Sequence, residues 1–171
     1  MTHYSIAAIP ADGIGPEVIS AGIEVLRALE KHNPQLKLTI NTFDWGSDYY
    51  KANGVMMPED GLAQLKKFDA IFFGAVGAPD VPDHITLWGL RLPICQGFDQ
   101  YANVRPTKLL PGTTPPPRNC GPGDLAWVIV RETAEGAYSG NGGRAHRGLP
   151  DAGGTQVAIL TRAAVPRTMH S

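Results

Sequence analysis

Cysteine is scarce in this sequence, which has only Cys95 and Cys120 among its 171 residues. The two lie far apart, with no CxxC pair and no histidine clustered beside either of them. A disulfide framework needs several cysteines, and a structural zinc site needs closely paired ligands. The sequence therefore indicates neither kind of site, and we expect two ordinary thiols.

An excess of charge of one sign is also missing, since 15 basic residues face 16 acidic ones, for a net charge of -1. A strongly basic surface is what attracts nucleic acid or an anionic membrane, so neither partner is expected. No apolar run approaches the roughly 20 residues of a membrane span, and the start lacks a signal-peptide pattern. The length and the 43% hydrophobic content fit a globular protein, and we expect a cytoplasmic enzyme.

What the sequence does have is an alternation of short apolar runs, glycine-containing loops and helical patterns. Runs of apolar residues predict strands, and apolar residues at helical spacing predict helices. The predicted strands are residues 4–10, 37–43, 69–73, 101–109, 127–131 and 155–160. The predicted helices are residues 16–31, 58–67 and 87–100, the last despite Pro93. This order predicts an α/β fold, with a sheet and flanking helices.

Two segments lack both patterns. Residues 111–123 include Pro115, Pro116 and Pro117, which predicts a stiff connection without a helix. Residues 138–154 hold six glycines and little apolar content, which predicts an arm or a loop.

Two glycine loops follow predicted strands. The loop DGIGPE at residues 12–17 joins a strand to a helix, where glycine lets the backbone approach a ligand and the helix start favours an anion. It is not a GxGxxG fingerprint, because the third glycine and the later acidic residue are missing. The loop GAVGAP at residues 74–79 could lie along a flat cofactor ring. Either loop could equally be a plain turn, and the residues alone leave this open.

Three arginines are candidates for anion binding, namely Arg91, Arg105 and Arg131. A guanidinium group is a rigid fork that matches a carboxylate with two hydrogen bonds. Two of these arginines close strongly apolar stretches, where an arginine could instead be a sheet-end residue that extends its charge into water. Tyr138 is a candidate proton donor in a polar stretch, and a packing role is the alternative.

Four segments, taken in order, carry a resemblance: ADGIGPEV, FFGAVGAP, LWGLRLPICQGFDQYANVRP and VIVRETAEGAYSG. Each is weak alone, but together they resemble the β-decarboxylating dehydrogenases, the family of isocitrate and isopropylmalate dehydrogenases, over nearly the whole chain. The segments FDWGSDYY and SGNGGRAHRGLP are most similar to the members that act on tartrate or D-malate.

The resemblance implies a substrate site. The residues implied to hold the two substrate carboxylates are Arg91, Arg105 and Arg131. By the same resemblance, Tyr138 supplies a proton to the enol that decarboxylation leaves. Leu87 and Trp88 are implied to shape the pocket around the variable part of the substrate, where the bulk of Trp88 favours small substrates.

The resemblance also implies NAD and a divalent metal, Mn²⁺ or Mg²⁺. The stretch implied to pass near the nicotinamide is Gly74, Ala75, Val76 and Gly77, and Ile14 is implied to lie near the adenosine. In this family the 2-hydroxyl is oxidised by hydride transfer to NAD while the metal polarises the new carbonyl. The metal-binding aspartates and a catalytic lysine belong to the family's later half, so no metal ligand is expected in this chain.

The implied fold is an isopropylmalate dehydrogenase-like sheet with flanking helices, incomplete because we expect the chain to be truncated. Residues 1–105 are expected to be part of the large domain, and residues 106–171 part of the small domain and the dimer arm. The implied function is NAD-dependent oxidation of tartrate or D-malate, with decarboxylation for some substrates, as a fragment of a homodimeric enzyme. The alternative is an inactive relic that binds a dicarboxylate weakly or pairs with another subunit.

Some positions depart from the family's pattern. Thr133 and Ala134 stand where asparagine followed by threonine or serine is usual, and Ala137 replaces a common glutamate. Pro166 falls where members of the family run into a helix, and a proline inside a helix costs about 3 kcal/mol. We interpret these changes as relaxed sequence and expect a polar contact near Arg131 to be lost.

Overall fold

The chain forms two compact units, Met1–Ile94 and Cys95–Ser171, and each is described by itself. The structure, a computed structural model, describes residues 2–113, 120–121 and 123–170. The three prolines of the predicted stiff connection, Pro115 to Pro117, lie outside the described residues.

A three-stranded parallel sheet organises the first unit, in the order β2-β1-β3. Its strands are β1 (Thr2–Ala11), β2 (Leu36–Thr42) and β3 (Ala70–Ala75). β1 lies in the centre and is the most buried of the three, with the stretch from Ile6 to Ile9 buried. Because neighbouring strands run parallel, the carboxyl ends of all three lie at the same edge of the sheet.

Helical segments connect or follow these strands, as parallel pairing requires. They are α1 (Gly15–His32), α2 (Ser47–Asn53), α3 (Gly61–Leu65), α4 (Asp83–Thr86), a π-helical turn (Leu87–Arg91) and α5 (Leu92–Gly97), which passes into the second unit. α1 has Pro16 in its first turn and Lys31 in its last, where each suits the helix end. The predicted helix at residues 16–31 is therefore confirmed. Among the described residues, no helix has the length and hydropathy needed to cross a membrane.

The helix predicted over residues 87–100 is divided into shorter segments around Pro93. A proline has no N–H group, so Pro93 cannot donate the regular helical hydrogen bond to the carbonyl of Gly89. The π-helical turn directly precedes this position and ends at Arg91. The helical stretch also begins earlier than predicted, at Asp83, and ends at Gly97.

The core of the first unit lies between the sheet and these helices. Besides the centre of β1, its buried apolar side chains are Ile19, Leu38, Trp45, Met56, Leu65, Val81, Leu90, Leu92 and Ile94. The Phe43 ring centre lies 4.6 Å from that of Trp45 and 5.6 Å from that of Phe68, which it meets edge to face.

The second unit consists of two antiparallel strand pairs and a short helix. They are β4 (Ala102–Lys108) with β5 (Ala126–Glu132), β6 (Gly136–Ala145) with β7 (Gly153–Ile159), and α6 (Ala164–Met169). Every residue of β7 is exposed, as is most of β6. The glycine-rich segment predicted as an arm or loop is therefore a strand pair, because backbone pairing needs no apolar side chains.

Pro166 does not interrupt a helix. α6 begins at Ala164, so the proline lies in its first turn, where the backbone N–H groups have no partner within the helix. The expected cost of a proline in a helix interior does not arise, and the interpretation of Pro166 as a damaging change is wrong.

Candidate functional site

The pairing of β4 with β5 places two of the predicted arginines on one face. Asn103 lies opposite Arg131, and Arg105 lies opposite Ile129. Opposite residues of an antiparallel pair project from the same face, as do residues two apart along a strand. Arg105 and Arg131 are therefore diagonal neighbours, and both are exposed. Arg105 Nε donates a hydrogen bond of 2.5 Å to Asn103 Oδ1, which orients one of the two guanidinium groups.

Tyr138 joins this face through Arg131. Arg131 Nη2 donates a hydrogen bond to the Tyr138 hydroxyl, and its guanidinium carbon lies 5.3 Å from the ring centre. Gln96 Nε2 donates to the backbone carbonyl of Tyr138 at 2.8 Å, which fixes the strand that carries the ring. The structure thus places the Tyr138 hydroxyl next to the Arg131 guanidinium group, two groups that the sequence singled out as candidates.

Arg91, Leu87 and Trp88 lie on the π-helical turn of the first unit. Trp88 is 39% exposed and, with His84, lines an open pocket of about 440 Å³. A Cβ atom at Gly89 would lie 2.6 Å from Met56 Cγ, so glycine lets this turn pack closely. These three residues belong to the first unit, whereas Arg105 and Arg131 belong to the second.

The glycines of the two loops divide into packing positions and open positions. A Cβ atom would lie 1.9 Å from the Pro10 carbonyl oxygen if placed at Gly15 and 2.2 Å if placed at Gly74, so both glycines permit backbone packing. Gly13 and Gly77 have φ angles of 57° and 134°, and a Cβ atom at either position would have no neighbouring atom within 4 Å. Their conformations favour glycine, and the space beside them is open to a ligand.

The residues implied to contact NAD lie on these loops. Gly74 and Ala75 end β3, while Val76 and Gly77 follow it. Ile14, at the start of α1, is 61% exposed. An exposed apolar side chain and an open glycine suit a flat, partly apolar cofactor, so Ile14 and Gly77 fit the implied NAD.

A cluster around Arg167, absent from the predicted site, fixes the end of the second unit. Arg167 Nη1 lies 3.0 Å from Asp99 Oδ1, and its guanidinium carbon lies 4.4 Å from the Tyr101 ring centre. Its nitrogens also approach Glu132 at 3.9 Å and Glu135 at 3.7 Å. One arginine of α6 therefore faces three carboxylates from other segments.

Glu132 is held ionised by its surroundings. Burial alone would raise the pKa of its carboxyl. The donors that outweigh this effect are the Ala134 N–H, the Thr168 hydroxyl and the Glu135 N–H, with the Arg167 charge nearby. The pKa of Glu132 is therefore lowered from its ordinary value, which suits a residue that anchors α6.

A metal ion needs several ligands in one place. Over residues 2–113, 120–121 and 123–170, no group of three or more His, Cys, Asp or Glu side chains is arranged to hold one.

Comparison with known proteins agrees with the four sequence motifs. A probable tartrate dehydrogenase/decarboxylase of Agrobacterium vitis is 78% identical over 170 residues, which is 99% of this chain and 48% of the relative. The decarboxylating D-malate dehydrogenase of Escherichia coli K12 is 47% identical over 172 residues, covering 99% of this chain and 47% of the relative. The chain spans about half the length of the curated relatives it matches.

Solved structures agree on the fold. Isocitrate dehydrogenase from Methylococcus capsulatus matches 98% of this chain and 45% of its own, with a TM-score of 0.76 at 24% identity. A β-decarboxylating dehydrogenase from Thermococcus kodakarensis matches 98% of this chain and 43% of its own, with a TM-score of 0.64 at 29% identity. The α/β, isopropylmalate dehydrogenase-like fold is confirmed. The sequence model of the isocitrate/isopropylmalate dehydrogenase family matches residues 5–171. The chain therefore belongs to the isocitrate/isopropylmalate dehydrogenase family.

Proposed function

We propose that this chain carries the dicarboxylate-binding face of an enzyme that oxidises tartrate or D-malate with NAD, with decarboxylation for some substrates. The observation that carries the proposal is the shared face of Arg105 and Arg131, with Tyr138 bonded to Arg131. Two neighbouring guanidinium groups suit an acid with two negative charges, since each can bind one carboxylate with paired hydrogen bonds.

Each predicted substrate-site residue then has a proposed role. Arg105 and Arg131 bind and orient the carboxylates, and Arg91 is proposed to contribute a third guanidinium group. Tyr138 holds a proton at its hydroxyl, ready for the carbon that loses carbon dioxide. Leu87 and Trp88 border the substrate, and the bulk of Trp88 selects against branched side groups.

NAD, when bound, accepts the hydride from the substrate's 2-hydroxyl carbon. We propose that Gly74, Ala75, Val76 and Gly77 lie along its nicotinamide end and that Ile14 contacts its adenosine end. The divalent metal, the cytoplasmic location and the homodimer belong to the proposed complete enzyme. In it we assign residues 1–105 to the large domain and residues 106–171 to the small domain and the dimer arm.

NAD reduction with tartrate and D-malate tests the proposal. The assay uses the 171-residue chain alone and a chimera in which it replaces the matching segment of the Agrobacterium vitis relative, both with Mn²⁺. We expect turnover by the chimera only. In the chimera, Tyr138→Phe should lower kcat by about 10²-fold or more, because general acid catalysis contributes on that order.

Two results would contradict the proposal. A folded chimera that reduces no NAD would favour the inactive relic, which binds or pairs without turnover. A Tyr138→Phe chimera with unchanged kcat would remove the proposed role of that hydroxyl.

A further inference from the structure

Asp12 is a buried carboxylate at the edge where the carboxyl ends of three parallel strands meet. It directly follows β1, while Ser47 begins α2 soon after β2, and Gly77 lies just beyond β3. Only 7% of Asp12 is exposed. In open α/β sheets this edge is where ligands bind, so Asp12 lies beneath the surface that a cofactor would contact.

Both oxygens of the Asp12 carboxylate are used. Oδ1 accepts the Ser47 N–H at 2.7 Å, and Oδ2 accepts the Ser47 hydroxyl at 2.7 Å. Oδ2 also accepts the Gly77 N–H at 2.8 Å. The Asp12 N–H donates to the Ala75 carbonyl at 2.6 Å. One side chain therefore joins segments 35 and 65 residues away along the chain.

The backbone around Asp12 is in conformations that need such support. Ala11 has a φ angle of 57°, which a residue with a side chain adopts only at a cost in free energy. A Cβ atom at Gly46 would lie 2.7 Å from Asp12 Oδ1 and 3.1 Å from the Ala11 Cα atom. Only a glycine at position 46 leaves room for the Asp12 carboxylate. The hydrogen bonds of this carboxylate offset the strain at Ala11.

We propose that Asp12 is a positioning residue that holds the Gly77 loop and the start of α2 in the arrangement that receives NAD. The identity of the cofactor rests on the proposed function. The arrangement of the loops rests on the hydrogen bonds alone, so the two can be tested separately.

Asp12→Asn tests the arrangement with little change in shape. An amide has one oxygen and one NH₂ group, so it must turn a donor toward either the Ser47 N–H or the Gly77 N–H. The control is Asp69→Ala. Asp69 Oδ2 accepts the Ser5 N–H at 2.7 Å and the Ser5 hydroxyl at 2.8 Å, but Asp69 precedes β3 and so lies at the opposite edge.

Hydrogen exchange of the full chain, measured by mass spectrometry on peptides containing Ser47 or Gly77, is the readout. We expect Asp12→Asn to speed exchange of at least one of the two peptides about tenfold, because the N–H group that faces the amide NH₂ loses its hydrogen bond to a charged group. Asp69→Ala should leave the exchange rates of both peptides within about twofold of the wild-type rates, while it lowers the overall stability of the chain. Unchanged exchange in Asp12→Asn, or an equal increase in Asp69→Ala, would overturn the proposal.

Ser47→Ala covers the case in which Asp12→Asn does not fold, because it removes only the hydroxyl bond to Asp12. It should still speed exchange of the Gly77 peptide about threefold, because Asp12 Oδ2 loses one of the two donors that hold it beside the Gly77 N–H, and no change would count against the proposal.

Adding NAD separates the two claims. The wild-type Gly77 peptide should become protected, and Asp12→Asn should need about tenfold more NAD for half protection. No protection of the wild type would overturn NAD as the ligand of this edge, whereas exchange without NAD still decides whether Asp12 holds the loops. Equal NAD dependence in Asp12→Asn and wild type would overturn the link between Asp12 and the cofactor.

Discussion

Thr133 departs from the family's pattern and still has a structural role. It is 1% exposed, and its hydroxyl donates to the Gln100 carbonyl at 2.9 Å, with the Tyr101 carbonyl at 3.3 Å. Its N–H donates to the Tyr101 carbonyl at 2.9 Å. The interpretation of this position as relaxed sequence is wrong, because Thr133 ties the end of β5 to the segment before β4.

Thr133→Val keeps the shape of the side chain and removes the hydroxyl donor. We expect a loss of about 1–2 kcal/mol in the free energy of unfolding, because the hydrogen bond that the buried Thr133 hydroxyl donates to the Gln100 carbonyl is lost. Urea unfolding measures the difference. Thr107→Val is the control, since Thr107 is exposed on β4, and equal effects of the two substitutions would contradict the assignment.

The site residues differ in how far the sequence could predict them. Arg131 and Tyr138 are seven residues apart within recognisable motifs, so the sequence predicted both. The Asp12 carboxylate contacts Ser47 and Gly77 across 35 and 65 residues, and no local pattern encodes such contacts. Arg167 was missed for the same reason, since its partner Asp99 lies 68 residues earlier.

At the scale of elements, α1 protects the outer edge of the sheet. β2 is an edge strand, and the Leu38 N–H donates to Glu30 Oε1 at 3.0 Å. The Leu38 carbonyl accepts from Arg27 Nη1 at 2.8 Å. Two side chains of one helix thus satisfy the backbone groups that would otherwise pair with another strand.

Glu30 should make this edge sensitive to acid. The bond from the Leu38 N–H, followed by that from Arg27, lowers the pKa of Glu30 from 4.5 to about 2. A carboxyl whose pKa is lower in the folded state stabilises that state fully when the pH is above the pKa of the unfolded state. This stabilisation is lost as the pH falls through the pKa of the folded state. We therefore expect the contribution to fade between pH 4.5 and about 2.

Urea unfolding at a series of acidic pH values checks this window. Glu30→Gln should remove this part of the pH dependence, whereas Glu24→Gln on the same helix should keep it. An unchanged pH slope in Glu30→Gln would contradict the role of Glu30 at the edge.

Arg167 is one of the residues that attach α6 to the rest of the second unit. Arg167→Met keeps most of the length of the side chain and removes the charge that faces Asp99, Glu132 and Glu135. We expect a loss of about 1–2 kcal/mol and faster proteolysis within α6, because a network of partly buried ion pairs is removed. Arg162→Met, at an exposed position, serves as the control, and equal proteolysis of the two variants would argue against this attachment.

The sequence predicts the elements that carry a pattern of apolar side chains, and it does not predict those that lack such a pattern. β1 and β3 each carry an apolar run and β2 alternates apolar with polar residues, and all three agree with the predicted strands within about two residues. β6 is rich in glycine and stays exposed, so neither periodicity nor burial distinguishes it from a loop. The π-helical turn depends on Pro93 and on packing against Met56, which no propensity expresses.

For the whole molecule, the strand pair β4–β5 leaves apolar surface exposed on both faces. Val104 is 56% exposed and Val128 is 64% exposed on the face opposite the arginines. Trp127 is 61% exposed on the arginine face. Exposed apolar patches and strand edges promote association between chains, so the isolated chain should aggregate.

Val128→Lys should reduce this association, because it places a charge in the exposed apolar face. Static light scattering against protein concentration measures the effect, with a steep rise expected for the wild type and a shallow one for the variant. Ser20→Lys adds the same charge at an exposed polar position of α1 and should change little. A wild-type chain that stays monomeric and unfolds reversibly would contradict this expectation.

The thermal unfolding midpoint of the chain, measured with added acids at matched ionic strength, tests the central claim most directly. A ligand that binds only the folded state raises this midpoint. Tartrate and D-malate should raise the unfolding midpoint by a few degrees in the wild type and in the control Arg144→Lys, but not in Arg131→Lys. D-lactate, which has one carboxylate, should have little effect on the midpoint. Equal shifts with D-lactate, or an undiminished shift in Arg131→Lys, would contradict recognition of two carboxylates by Arg105 and Arg131.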